Sequence, residues 1–201
     1  MPLRFLALGD SYTIGESVSE TERWPNQLVR LLGEDGQDFE APTVIAKTGW
    51  TTDELAQAIS ADLPQGPFDL VSLLIGVNNQ YRGRPLDEYR AQFRKLLETA
   101  INFAGGKREH VLVLSIPDWG VTPFAESRER SGIAAQIDAF NDANREQASR
   151  EGVAYVDVTR SSRRAAEDPS FVAEDGLHPS GKMYSEWAEL ALPVVRSMFT
   201  P

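Results

Sequence analysis

Five short apolar runs, residues 3–8, 43–46, 70–75, 111–116 and 153–158, alternate along the chain with longer stretches of helical period. Each run is rich in Val, Ile or Leu, and none alternates strictly with polar residues. That pattern suits strands covered on both faces, as in a parallel sheet. The intervening stretches are one-sided. Trp24-Pro25 opens the first, with Leu28, Leu31 and Leu32 on one side. Thr51 and Glu54 have the spacing of a capping box ahead of Leu55 and Ile59. Tyr89, Phe93, Leu96, Leu97, Ala100 and Ile101 form the clearest stripe, and Ile133, Ile137 and Phe140 mark a fourth helix. Ser180 is placed to cap the last, whose stripe is Tyr184, Trp187 and Ala191, and Pro193 is expected to kink or end it. Strands and helices in strict alternation predict a layered α/β fold with right-handed crossovers.

The chain has 201 residues, 41% hydrophobic and 25% charged, with no repeat, low-complexity tract or linker, so one domain over residues 1–201 is expected. A domain of this size buries roughly 70% of its unfolded surface and needs no metal or disulfide to fold. The absence of Cys excludes disulfides, a thiol nucleophile and thiolate metal sites. Twenty basic against thirty acidic residues leave a formal charge of −10, which disfavours nucleic acid and anionic membranes as partners. No apolar run reaches the ~18 residues of a membrane span, and no stable membrane anchor is expected. Residues 1–10 are too short for a secretory signal and lack its cleavage pattern, so the chain reads as cytoplasmic.

Open α/β sheets bind ligands at the carboxyl ends of their strands. The segments that follow the five runs are Gly9-Asp10-Ser11-Tyr12, Lys47-Thr48-Gly49-Trp50, Gly76-Val77-Asn78-Asn79, Pro117-Asp118-Trp119 and, across a long loop, Asp175-Gly176-Leu177-His178-Pro179. Together they place a Ser, a Gly, an Asn and an Asp/His pair on one rim. Acyl transfer needs such a set. A serine hydroxyl is a weak nucleophile until a base takes its proton. Imidazole does this best near neutral pH, and a carboxylate on its other nitrogen fixes the tautomer. Donors must also face the oxygen that becomes negative. Of the two histidines, His110 precedes the fourth strand and reads as an exposed turn residue, whereas His178 lies three residues after Asp175. Taken alone, each of the other positions has a plainer reading: Ser11 as a helix cap, Asn78 as a turn residue, Gly49 as a positive-φ glycine, Asp175 as the start of a turn.

In their order, these blocks resemble the SGNH hydrolases, also called the GDSL esterase/lipase family. Gly9-Asp10-Ser11-Tyr12 is similar to the first block, with Tyr in place of Leu; Gly49 matches the second; Gly76-Val77-Asn78-Asn79 is similar to Gly-x-Asn-Asp, with Asn79 replacing Asp; and Asp175 to His178 is similar to Asp-x-x-His. The resemblance implies a flavodoxin-like three-layer α/β/α sandwich with a five-stranded parallel sheet of order 2-1-3-4-5. It implies Ser11 as nucleophile, His178 as base and Asp175 as its orienter, with an oxyanion hole from the Ser11 and Gly49 N–H groups and the Asn78 amide. It further implies hydrolysis of small esters or thioesters without metal or organic cofactor. The Gly-x-Ser-x-Gly elbow of other α/β-hydrolases is absent.

Trp50, Trp119 and Phe124 are candidates to line the substrate pocket, with ordinary packing as the competing reading. Residues 117–130 are a candidate lid. Tyr81 and Arg82 stand at the cleft edge without an assigned role. Lys47 reads as a surface residue, and Glu126, Glu129, Asp138 and Asp142 as solvated faces rather than metal ligands. Two other functions remain in view: a carbohydrate O-deacetylase of the same family, and a flavodoxin-like nucleotide- or phosphate-binding module with Gly9-Asp10-Ser11 as its anion-binding turn. Neither a Gly-x-Gly-x-x-Gly after the first strand nor a Walker lysine pattern supports the last. Acyl and alcohol specificity and oligomeric state are left open by the sequence.

Overall fold

The computed structural model describes residues 1–199. In chain order its strands and α-helices are β1 (Phe5–Asp10), α1 (Ser11–Ile14), α2 (Trp24–Glu34), β2 (Thr43–Lys47), α3 (Thr52–Ala61), β3 (Leu70–Leu74), α4 (Val77–Tyr81), α5 (Leu86–Phe103), β4 (Val111–Leu114), α6 (Arg130–Glu151), β5 (Ala154–Val156), α7 (Thr159–Ser162) and α8 (Gly181–Met198). The strands form one sheet in the order β2-β1-β3-β4-β5. Every pair is parallel, with Leu8 opposite Ile45 on one side and Leu73 on the other.

Right-handed crossovers in this order send α2 to one face of the sheet and α3, α5 and α6 to the other. The contacts agree: α2 packs on α8, while α5 packs on both α3 and α6. The inner strands β1, β3 and β4 are buried throughout. The expectation of two-faced cover fails for β2, whose ends Thr43 and Lys47 are exposed, and weakens for β5. Both are edge strands with a neighbour on one side only.

The helix stripes fall where the periodicity put them. Thr51 and Glu54 cap α3 reciprocally, and Thr51 N–H donates to Glu54 Oε2 over 2.8 Å. Ser180 Oγ accepts from Met183 N–H at the start of α8. Pro193 does not end that helix, which runs on to Met198. Pro193 and Glu189, whose carbonyl loses its helical donor, are both exposed, while Ala191 and Val195 on the inner face are fully buried. Burial of that stripe outweighs one lost hydrogen bond. His110 also differs from expectation: it closes a 3₁₀ turn before β4, half-buried, its ring centroid 5.1 Å from that of Phe199. It lies at the amino end of β4, away from the rim that matters here. Among the described residues no helix is long and apolar enough to cross a membrane.

Candidate active site

The sheet order reverses between β1 and β3, and the segments following these two strands meet there. At the end of β1 the chain turns directly into α1. Asp10, not Ser11, takes the N-cap position, its Oδ1 accepting from Tyr12 N–H over 3.1 Å. The Ser11 side chain is thus not spent on capping, and it lines the cleft above the sheet although the residue is only 4% exposed.

His178 reaches the same cleft from the far end of the chain. Its Nδ1 lies 2.6 Å from Asp175 Oδ2. A carboxylate is an acceptor, so Nδ1 carries the proton, and in the neutral ring the lone pair is on Nε2. Asp175 Oδ1 accepts from the N–H groups of Leu177 and His178, each over 2.9 Å, closing a tight turn at Gly176 with φ +72°. The turn and the carboxylate–imidazole pair are therefore one structure. Burial opposes ionisation of Asp175, but the hydrogen bonds from the His178 ring, the two N–H groups and Ser17 outweigh it and hold the carboxyl down at about 2. Ser11 and His178 form no direct hydrogen bond, but both line one cleft.

Two residues past the end of β3, Gly76 takes the N-cap position of α4 at φ +131°, and an added Cβ would stand 2.4 Å from the Tyr89 hydroxyl. That glycine lets α4 start at once, carrying Asn78 into the cleft lining. Asn78 Nδ2 donates to the Trp50 carbonyl over 2.9 Å, which leaves its second N–H. Asn79 points the other way and is fully buried. Its amide accepts from Thr52 N–H over 3.1 Å and donates to Thr52 Oγ1 over 2.8 Å, tying α4 to the start of α3. An acidic side chain could not donate this second bond. Gly49 adopts φ +86° in the loop after β2; its carbonyl accepts from Arg82 over 2.5 Å, and among the described residues its N–H has no acceptor.

The cleft is open to solvent, has a volume of about 180 Å³ and is walled mainly by Tyr12, Val77, Tyr81, Trp119, Phe124 and Leu177. Two of the three candidate wall residues are there. Trp50 is not: it packs against the core and offers only its carbonyl to Asn78. Trp119 is fixed by its indole N–H, which donates to Gln80 Oε1 over 2.8 Å, while Gln80 donates to Gln136 over 2.7 Å. Arg128 lies over the rings of Tyr81, Trp119 and Phe124, 5.1–5.5 Å from their centroids. Residues 117–130 thus form a wall of two short 3₁₀ turns. A crevice of about 20 Å³ shares Tyr12, Trp119, Leu177 and His178 with the cleft.

Sequence reasoning missed three contributors. Ser17 Oγ donates to Asp175 Oδ2 over 2.8 Å. Gln80 holds Trp119, a pairing with no local pattern. Asp10 is wholly buried, and its Oδ2 has no partner among the described residues. Burial raises its pKa to about 7 against the lowering effect of the Tyr12 N–H. Burial and the nearby Asp10, Asp175 and Asp118 push the Tyr12 phenol far up, so Tyr12 stays neutral beside His178, ring centroids 5.4 Å apart. Lys47 is exposed, as are Glu126, Glu129, Asp138 and Asp142. No group of three or more His, Asp or Glu among the described residues is arranged to hold a metal ion.

Residues 7–185 match the sequence model of the GDSL-like Lipase/Acylhydrolase family. A comparison with curated protein sequences found no match. Among solved structures, TesA superposes with a TM-score of 0.77 at 18% identity, covering 98% of this chain and 99% of that one. The lipase/acylhydrolase from Enterococcus faecalis gives 0.74 at 21% identity, covering 100% and 98%. The W215I variant of Axe2, an acetyl xylan esterase from Geobacillus stearothermophilus, gives 0.73 at 20% identity, covering 96% and 94%. At these identities the likeness is one of fold.

Proposed function

The chain belongs to the GDSL-like lipase/acylhydrolase family, and from that premise we propose that it is a serine esterase cleaving small carboxylic esters, or thioesters, through an acyl-enzyme on Ser11. His178 Nε2 takes the Ser11 proton as Oγ attacks the carbonyl carbon. The negative oxygen of the tetrahedral intermediate meets the N–H groups of Ser11 and Gly49 and the second N–H of Asn78. The bond to the leaving oxygen or sulfur breaks, and His178 returns its proton to that atom. A water, deprotonated by the same imidazole, then attacks the acyl carbon. The acid leaves and Ser11 recovers its proton. Asp175 holds the ring in the required tautomer and offsets the positive charge of the imidazolium.

What carries this reading is that Ser11, Asn78 and His178, from three distant segments, line one cleft while Asp175 holds the far side of the imidazole. The cleft is small, and its aromatic and aliphatic walls favour small uncharged acyl groups. A second reading, removal of acetyl groups from a sugar, is favoured by the exposed rings of Tyr81 and Phe124 at the cleft mouth, on which a sugar face can stack. We take one domain, a small-molecule partner and a cytoplasmic location as parts of the same proposal. Reaction with a fluorophosphonate, followed by peptide mapping, tests it. Labelling at Ser11 is expected. No labelling, together with saturable nucleotide binding, would replace the esterase with a phosphate-binding module.

A further inference from the structure

Ser17 is the only residue other than glycine with a positive φ among the described residues, at +65°. L side chains rarely adopt that conformation, and it persists where the surroundings impose it. Here the surroundings are the turn that follows α1. Gly15 ends that helix at φ +67°, and the N–H groups of Gly15 and Glu16 both return to the Ser11 carbonyl. The next two side chains reach out to the other two loops of the site. Glu16 accepts a hydrogen bond from Thr48, the neighbour of Gly49. Ser17 Oγ donates over 2.8 Å to Asp175 Oδ2, the same oxygen that lies 2.6 Å from His178 Nδ1.

We propose that Ser17 is a positioning residue: its hydroxyl fixes Asp175 Oδ2 and shares that oxygen's charge with the His178 ring, and so sets how readily His178 accepts the Ser11 proton. The proposal rests on the serine-esterase reading. The backbone of the loop already holds Oδ1, through Leu177 and His178 N–H. Oδ2 is left to two donors, one of which is the imidazole. Without the hydroxyl, the carboxylate is freer to rotate and its charge falls more fully on the ring. Both effects have a direction. Rotation loosens the imidazole and lowers kcat, and concentrated charge stabilises the imidazolium, so a higher pH is needed to free Nε2.

Other titratable groups surround the pair: Tyr12 at the β1–α1 junction and Tyr184 on α8 both feel the charge of Asp175 and of Asp10, with Asp118 after β4 acting on Tyr12 and Glu16 in the turn acting on Tyr184. Substitution at Ser17 replaces none of them. Positive φ and the hydrogen bond can be separated. Ser17→Ala loses the hydroxyl and keeps a side chain at φ +65°; Ser17→Gly loses the hydroxyl and relieves the backbone.

The test is the pH profile of kcat/KM on p-nitrophenyl acetate for the wild type, both variants and Ser11→Ala, with thermal melts of each. In both Ser17 variants the acidic limb is expected to move to higher pH by about half a pH unit, with kcat down about three- to ten-fold and KM little changed. The Gly variant should melt higher than the Ala variant. Wild-type profiles in both, or in the Gly variant alone, would overturn the proposal, the latter by making strain the only role of this position. The Ser11→Ala control separates the two failures: retained turnover there defeats the esterase reading itself.

Discussion

The His178 imidazole donates from Nδ1 to Asp175 Oδ2 over 2.6 Å, while two N–H groups of the same loop hold the other carboxylate oxygen. An amide at this position can offer its NH₂ to Nδ1 and select the wrong tautomer. Asp175→Asn should therefore keep the fold and lower kcat by about 10⁴-fold. Circular dichroism and steady-state kinetics on a short ester check this. A kcat within a few-fold of the wild type would remove Asp175 from the mechanism.

Asn78 spends one N–H on the Trp50 carbonyl, 2.9 Å away. That bond orients the other, which the proposed mechanism assigns to the oxyanion. Asn78→Ala should lower kcat by about 10²–10³-fold with little change in KM. Asn78→Asp, which has no N–H, should fare no better. A loss of only a few-fold in Asn78→Ala would exclude the amide from the oxyanion hole.

Asp10 and Asp175 should act on stability in opposite pH windows. The pKa of Asp175 falls on folding, from 3.8 to about 2, so the stability it contributes is present above pH ~4 and is lost as the pH drops towards 2. The pKa of Asp10 rises, from 3.8 to about 7. Its neutral form suits the buried site, so its contribution is full below pH ~4 and is lost as the pH climbs through 7. Asp10→Asn keeps an acceptor for the Tyr12 N–H and removes the titration. The stability of this variant relative to the wild type, from urea midpoints, should rise between pH 4 and 7.5, by at most about 1.4 kcal/mol per pH unit. A constant difference across that range would mean that Asp10 is not titrating there.

The sequence reveals most where a residue follows a strand. In a parallel sheet all carboxyl ends share one edge, so Ser11, Asn78 and His178 could be placed on one rim without knowledge of any side-chain contact. It reveals less where direction within a loop decides. Trp50 and Trp119 both follow strands, yet Trp119 is turned into the cleft by Gln80, and Trp50 is turned onto the core. It reveals least where the partner is remote. Ser17 and Asp175 are 158 positions apart, and nothing near either one announces the bond. Pro193 shows another limit: of the two outcomes expected of it, an end to the helix does not occur, because the buried stripe around it holds the helix together.

The central claim is that the Ser11 hydroxyl forms the acyl-enzyme. The most direct measurement is turnover of a short p-nitrophenyl ester by Ser11→Ala, beside a thermal melt showing the variant folded. Hydrolysis is expected to fall to the background of the uncatalysed reaction, with the melt close to that of the wild type. A folded Ser11→Ala protein that hydrolyses the ester at the wild-type rate would contradict the account.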